Sequence, residues 1–332
     1  VSANFNAPTG PPLMLTVHLA MTGDPATITI AAKASGDPFV EAMRELAGDI
    51  ATFSHGPIDT MPERCEVLIG GGVDPEQLAA AEHLHTIIVP WAGIPEKLVE
   101  SVAASERRDI AIRNIHHNAA SSAEIAIGLL IAASRGIAIL DRRLRSGDWR
   151  PRYEPRPTRR LDGSRATVLG RGAIGSRIAR ALTGLGMEVE PLGRPPAGGR
   201  WEADQLVRRI EGGLVLIAAI PLLSETRGLI NGQVLDAIPD GIFVNICRAE
   251  VVVEDDLYDR LSDGRLFAAG LDVWWRIPET IEEQMDHPPG NRPFQDLDNV
   301  VMTPKVGGGL GEPEIERRRA EEVAAILREL AT

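Results

Sequence analysis

The chain has 332 residues, 44% of them hydrophobic and 25% charged, with a formal net charge of −12. That length accommodates two domains, and the balance is that of a globular protein rather than a disordered one. The acidic excess disfavours nucleic acid or an anionic membrane as partner, yet leaves room for a local basic site that takes a small anion.

In chain order, the opening segment VSANFNAPTGPPLM lacks a basic region followed by an apolar one. It reads as a loose lead-in rather than a signal peptide, with a first strand expected near residues 13–19. No apolar run is long enough to span a membrane. Cys65 and Cys247 lie far apart and match neither a metal cluster nor a disulfide framework, so the expected setting is a reducing cytoplasm without a metal. From Val67 onward, short apolar runs alternate with helical patterns: EVLIGG, PEQLAAAEHL, HTIIVPWAG and PEKLVESVAAS. That rhythm belongs to parallel-sheet α/β architecture. One long helix is expected over SSAEIAIGLLIAASRGIAILDRRLRSGDW, apolar enough to require burial on several sides, in a core or against a second subunit. RPRYEPRPTRRL follows, rich in proline and arginine, as an arm or connector.

The strongest pattern begins near Ala166. SRATVLGRGAIGSRIARALTGLGMEVEPLGR reads as strand, glycine turn, helix, short turn and second strand. Further strands are expected at GLVLIAA, GIFVNI, LFAAGLDV and NVVMTP, with helical INGQVLDAI and VEDDLYDRLSDG between them. Together they make a doubly wound parallel sheet of about six or seven strands. The last segment, EPEIERRRAEEVAAILREL, has the period of an amphipathic helix that can pack back on the first domain.

Gly170, Gly172 and Gly175, with Ala173 and Ile174 inside the turn, form G-x-G-x-x-G between a strand and a helix. Glycines there allow a tight turn and let the backbone approach a pyrophosphate seated on the helix N-terminus, so a dinucleotide site is expected. The second strand should end in an acidic residue if the adenosine ribose carries free hydroxyls. It ends instead in Gly193 and Arg194, which favours NADP, with NAD possible.

These motifs resemble the D-isomer-specific 2-hydroxyacid dehydrogenases from about Val67 to the C-terminus. The likeness is carried by HHNAASSAEIAIGLL, the glycine turn, IPLLSETRGLI, FVNICRAEVVVEDDL, AAGLDVW and NVVMTPK. It implies an α/β protein: a Rossmann cofactor domain plus a smaller flavodoxin-like α/β substrate domain. The substrate domain would comprise residues 1–114 completed by 306–332, and the NAD(P)-binding domain residues 115–305. The active site would lie in the cleft, and the long helix after His117 would form much of a homodimer interface. By the resemblance Arg248 is the catalytic arginine, a fork for a substrate carboxylate and the neighbouring carbonyl. Trp91, Ala92 and Gly93 match the loop whose backbone N–H groups hold that carboxylate. Asp272 matches a contact near the nicotinamide carboxamide, and Pro221, Thr226 and Cys247 match cleft-lining cofactor positions.

The departures are as informative. The family pairs the arginine with a glutamate and a histidine, and these positions hold Ile277 and Lys305. The chain has 32 arginines and three lysines, so a titratable amine at this strand end stands out as a general acid or base. Glu279 and His287 are nearby alternatives; Ala249 replaces a glycine and Val253 an aspartate. Trp274 and Trp275 either wall the cleft or fill a core or dimer contact. The leading expectation is an oxidoreductase moving a hydride between NAD(P)H and a small, anionic 2-oxo or 2-hydroxy acid. Reduction of an imine or other anionic substrate, and a catalytically weak nucleotide-sensing role, are the alternatives.

Overall fold

In the inner strand segments VLI, TIIV, VLIA, IFVN and AAGL every residue is buried, the mark of strands covered on both faces. The computed structural model describes residues 14–20, 38–195 and 201–332; the lead-in before residue 14 lies outside them. The chain divides into two compact units, Val1–His117 with Glu312–Thr332, and Asn118–Gly311.

The first unit holds β1 (Leu15–Ala20), β2 (Ala51–Gly56), β3 (Val67–Ile69), β4 (Thr86–Val89) and β5 (Ala111–Asn114). All pair in parallel in the order β2-β1-β3-β4-β5, the flavodoxin-like winding. Successive side chains leave a strand on opposite faces. Val67, Ile69 and Ile88 accordingly join one core with Val17 and the helix Pro38–Ala47, while Leu68, Ile87 and Val89 join the other with Leu78 and Leu98. The C-terminal helix Ile315–Leu330 completes the first core through Ala320, Val323, Ala324 and Leu327, whose spacing of three and four residues builds one apolar face.

The second unit holds β6 (Arg165–Leu169), β7 (Glu188–Leu192), β8 (Val215–Ala218), β9 (Ile242–Asn245), β10 (Ala268–Leu271) and β11 (Val300–Met302). They form a parallel sheet of six strands among the described residues, ordered β11-β10-β9-β8-β6-β7. From β6 the chain moves outward to β7, then returns to lay β8 on the other side of β6. Loops at the carboxyl ends of β6 and β8 therefore diverge and open a crevice, where ligands of such sheets bind.

The long apolar helix is two helices, Ala119–Arg135 and Ile137–Arg145, bent by 68°. Gly136 sits between them at φ +67, a left-handed position that ends the first helix. The first helix buries Ala123, Ala126, Leu129 and Leu130 in the core, whereas the second leaves Ile137, Leu140 and Leu144 exposed. The arm contains one helical turn, Arg150–Tyr153, with Trp149 and Tyr153 on the surface. No single helix among the described residues is long and apolar enough to cross a membrane.

Candidate active site

The glycine turn leaves the carboxyl end of β6. Gly170 has φ +116, and a side chain there would collide with the carbonyl oxygen of Ala219 just past β8. A side chain on Gly175 would collide with the carbonyl of Gly170, so the helix Ala173–Gly184 can approach the strand only with glycine there. A Cβ on Gly172 would meet nothing within 4 Å. Two glycines thus close the turn and the third leaves open space in front of a helix N-terminus, where unpaired backbone N–H groups attract an anion. Ile174 packs against the core beneath the turn. A dinucleotide pyrophosphate fits this arrangement.

Past β7, Arg194 is exposed. Past β8, the Thr226 hydroxyl donates to the Pro221 carbonyl (2.7 Å) and accepts from the Leu223 N–H (2.8 Å), so it closes its own loop. Past β9, the buried Asn245 side chain shapes the chain. Its Nδ2 donates to the Arg248 carbonyl (3.0 Å) and its Oδ1 accepts from the Cys247 N–H (3.1 Å). This folds Cys247 inward, where burial pushes its thiol pKa up and leaves it a poor nucleophile. Arg248 turns outward, exposed, with Nη1 donating to the Cys247 carbonyl (2.8 Å). Among the described residues no carboxylate forms an ion pair with it, so its fork is available to an external anion.

Past β10 and β11 the chain is tied together by Asp272, which is 3% exposed. Its Oδ1 accepts from the Thr303 hydroxyl (2.7 Å) and the Val306 N–H (2.9 Å), and its Oδ2 from the Gly307 N–H (2.9 Å). The Gly307 carbonyl accepts from the Ser122 hydroxyl (2.7 Å). Between these anchors stands half-buried Lys305 at φ +56, a conformation that non-glycine residues rarely hold without support. Asp272 supplies that support. The same clamp keeps residues 303–307 in the second unit, whose limit falls at Gly311 rather than at residue 305.

Ile277, at the family's glutamate position, is 39% exposed. The two alternatives both meet Glu283: the Glu279 N–H donates to its carboxylate (2.9 Å) and His287 Nδ1 lies 3.5 Å from it. Trp274 is buried in the core of this unit, and half-buried Trp275 packs against it. Trp275 stacks on Phe294 at 5.5 Å, Trp274 meets the same ring edge-on at 6.3 Å, and Trp274 Nε1 donates to the Thr303 carbonyl (2.8 Å).

In the first unit, Trp91, Ala92 and Gly93 follow the carboxyl end of β4. The Ala92 carbonyl accepts from Asn114 Nδ2 (2.6 Å), and the Trp91 ring lies where a side chain on Gly71 would be 3.1 Å away. Thr303, Ser122 and Asn114 carry no local sequence signal; each acts through a bond that only the folded chain forms, whereas Asn245 bonds residues two and three positions on.

A glycine turn at the switch point of a doubly wound sheet, on the same sheet edge as an arginine without an ion pair among the described residues, defines a Rossmann dinucleotide-binding class of protein. Residues 127–307, more than half of the chain, match the family described as "D-isomer specific 2-hydroxyacid dehydrogenase, NAD binding domain". Hydroxypyruvate reductase of Thermotoga maritima is 30% identical over 250 residues, which is 73% of this chain and 77% of that protein. The chain belongs to the D-isomer specific 2-hydroxyacid dehydrogenase family. D-3-phosphoglycerate dehydrogenase of Archaeoglobus fulgidus is 31% identical over 252 residues, 73% of this chain, and the match spans only 45% of that longer protein. The fold is also that of the PH0520 protein from Pyrococcus horikoshii (TM-score 0.75, 22% identity, 96% of this chain and 92% of that one).

Proposed function

We propose that this protein transfers a hydride between a nicotinamide nucleotide and the 2-carbon of a small 2-oxo or 2-hydroxy acid. The observation that carries the reading is a shared edge. The glycine turn, Pro221, Arg248, Asp272 and Lys305 all follow the carboxyl ends of parallel strands in one sheet, where such folds bind ligands.

The nucleotide, when bound, supplies or accepts the hydride. Residues 170–175 hold its pyrophosphate, and Arg194 favours a 2′-phosphate, hence NADP over NAD. Pro221, Thr226 and Cys247 shape the loops beside it. Arg248 forks onto the substrate carboxylate and the adjacent carbonyl oxygen, stabilising negative charge as it develops there. Trp91, Ala92 and Gly93 bind the carboxylate through backbone N–H groups. Lys305, held by the Asp272 clamp, delivers a proton to the carbonyl oxygen in reduction and removes one from the hydroxyl in oxidation. A homodimer in the cytoplasm belongs to the same reading. Ile137, Leu140 and Leu144 recur at helical spacing on an exposed face, Trp149 and Tyr153 are exposed further along the chain, and a second copy would cover them.

The test is a screen of NADPH and NADH oxidation against a panel of 2-oxo acids, with imines as a second arm. Turnover of a 2-oxo acid supports the proposal, and turnover of imines alone overturns its substrate class. A protein that binds nucleotide yet turns over nothing would be a nucleotide sensor. That second reading is favoured by exposed Ile277 in the place of the family's glutamate.

A further inference from the structure

We infer that Arg171, the variable residue inside the glycine turn, is a second guanidinium for the 2′-phosphate of the adenosine ribose, and that Gly193 is side-chain-free in order to seat it. The inference rests on the reading that a nicotinamide nucleotide binds at residues 170–175.

Two segments distant in sequence approach each other here. A Cβ on Gly193 would lie 2.6 Å from Arg171 Nε, 2.9 Å from its Nη2 and 3.1 Å from its Cζ. The guanidinium of Arg171 therefore lies across the backbone of the first residue past β7. Gly193 is not among the positive-φ glycines, so its backbone conformation does not demand glycine. The open space is instead taken up by Arg171, whose guanidinium a side chain there would push aside. The Gly193 carbonyl is fixed in turn by Trp201 Nε1, which donates to it (2.8 Å).

This is where a Rossmann sheet presents the group that reads the 2′ position of the ribose. A carboxylate there accepts from the free hydroxyl of NAD and repels the phosphate of NADP. From residue 191 to 195 the chain reads Pro-Leu-Gly-Arg-Pro, without a carboxylate. Glu190, just before it, is engaged by Arg209. Among the described residues neither Arg171 nor Arg194 forms an ion pair, and neither guanidinium donates a hydrogen bond, in a chain where many arginines are paired. The end of β7 thus offers one guanidinium from the turn and another from the strand's own end. A phosphate monoester dianion, with three acceptor oxygens and nearly two charges, is the ligand that such a pair matches.

The experiment measures dissociation constants of NADPH, NADH and adenosine 2′,5′-bisphosphate by calorimetry on the full chain and its Arg171→Leu, Arg194→Leu and Gly193→Ala variants. Arg171→Leu should weaken NADPH and the bisphosphate by about 10- to 100-fold while changing NADH by less than about threefold. Gly193→Ala keeps both arginines but displaces the guanidinium of Arg171, so it should weaken the same two ligands. Combined with Arg171→Leu it should add little, because both changes remove one interaction. The inference is overturned if wild type prefers NADPH and Arg171→Leu retains that preference in full. Wild type binding NADPH and NADH equally would overturn the 2′-phosphate site at both arginines. Wild type binding neither nucleotide would overturn the functional reading itself.

Discussion

Replacing His117 with asparagine should remove a pH dependence of stability that the wild-type chain carries. His117 is 8% exposed, and Arg319 Nε lies 3.5 Å from its Nε2, at the long end of hydrogen bonding. With Nε2 the acceptor, the proton sits on Nδ1, which is buried without a partner. Protonating the ring would bury a second cation beside Arg319. Burial first, then Arg319 and His116, push its pKa from 6.5 down to about 4. Because the folded value is depressed, this stability is present above 6.5 and is lost as pH falls, since only the unfolded chain takes up the proton. At about 1.4 kcal/mol per pH unit the full loss is about 3 kcal/mol, and about 2 kcal/mol of it has gone by pH 5. Urea unfolding at pH 7.5 and pH 5.0, for wild type and His117→Asn side by side, isolates this contribution, because all other groups titrate in both proteins. Wild type should lose about 2 kcal/mol more than the variant. Equal losses, or a His117 ring proton that titrates near 6.5 by NMR, would refute the reasoning.

Lys305→Ala and Lys305→Arg should each slow turnover by about 10²- to 10⁴-fold in steady-state kinetics, since alanine has no proton to give and arginine keeps its own. Lys305→His should recover part of the lost rate and added Ile277→Glu more; near-wild-type turnover in Lys305→Ala would remove this lysine from the mechanism. Arg248→Lys keeps the charge but not the fork, so kcat/KM should fall steeply while the NADPH dissociation constant stays nearly unchanged. Asp272→Asn sets an amide against the N–H groups that the carboxylate now serves. It should destabilise the second unit by about 1–3 kcal/mol in thermal unfolding, and an unchanged midpoint would mean the clamp is dispensable.

What the sequence determined by itself was local. G-x-G-x-x-G constrains its own backbone, and the apolar strands and amphipathic helices have periods set by their own geometry, so the turn and the α/β class were legible from neighbouring residues. The same window failed at Gly136. A glycine inside an apolar helical pattern costs only about 1 kcal/mol, too little to predict the break that the left-handed conformation makes. The helix Pro38–Ala47, β2 and β5 were likewise not singled out. Lys305 was visible as an unusual residue at a strand end, but not the carboxylate that holds it, which lies 33 positions earlier in the chain. The packing of Trp274 and Trp275 depended on Phe294, and the meaning of Gly193 depended on Arg171. These pairings carry no periodic signature, because the contact distance between two side chains is decided by how strands and turns stack, not by their separation along the chain.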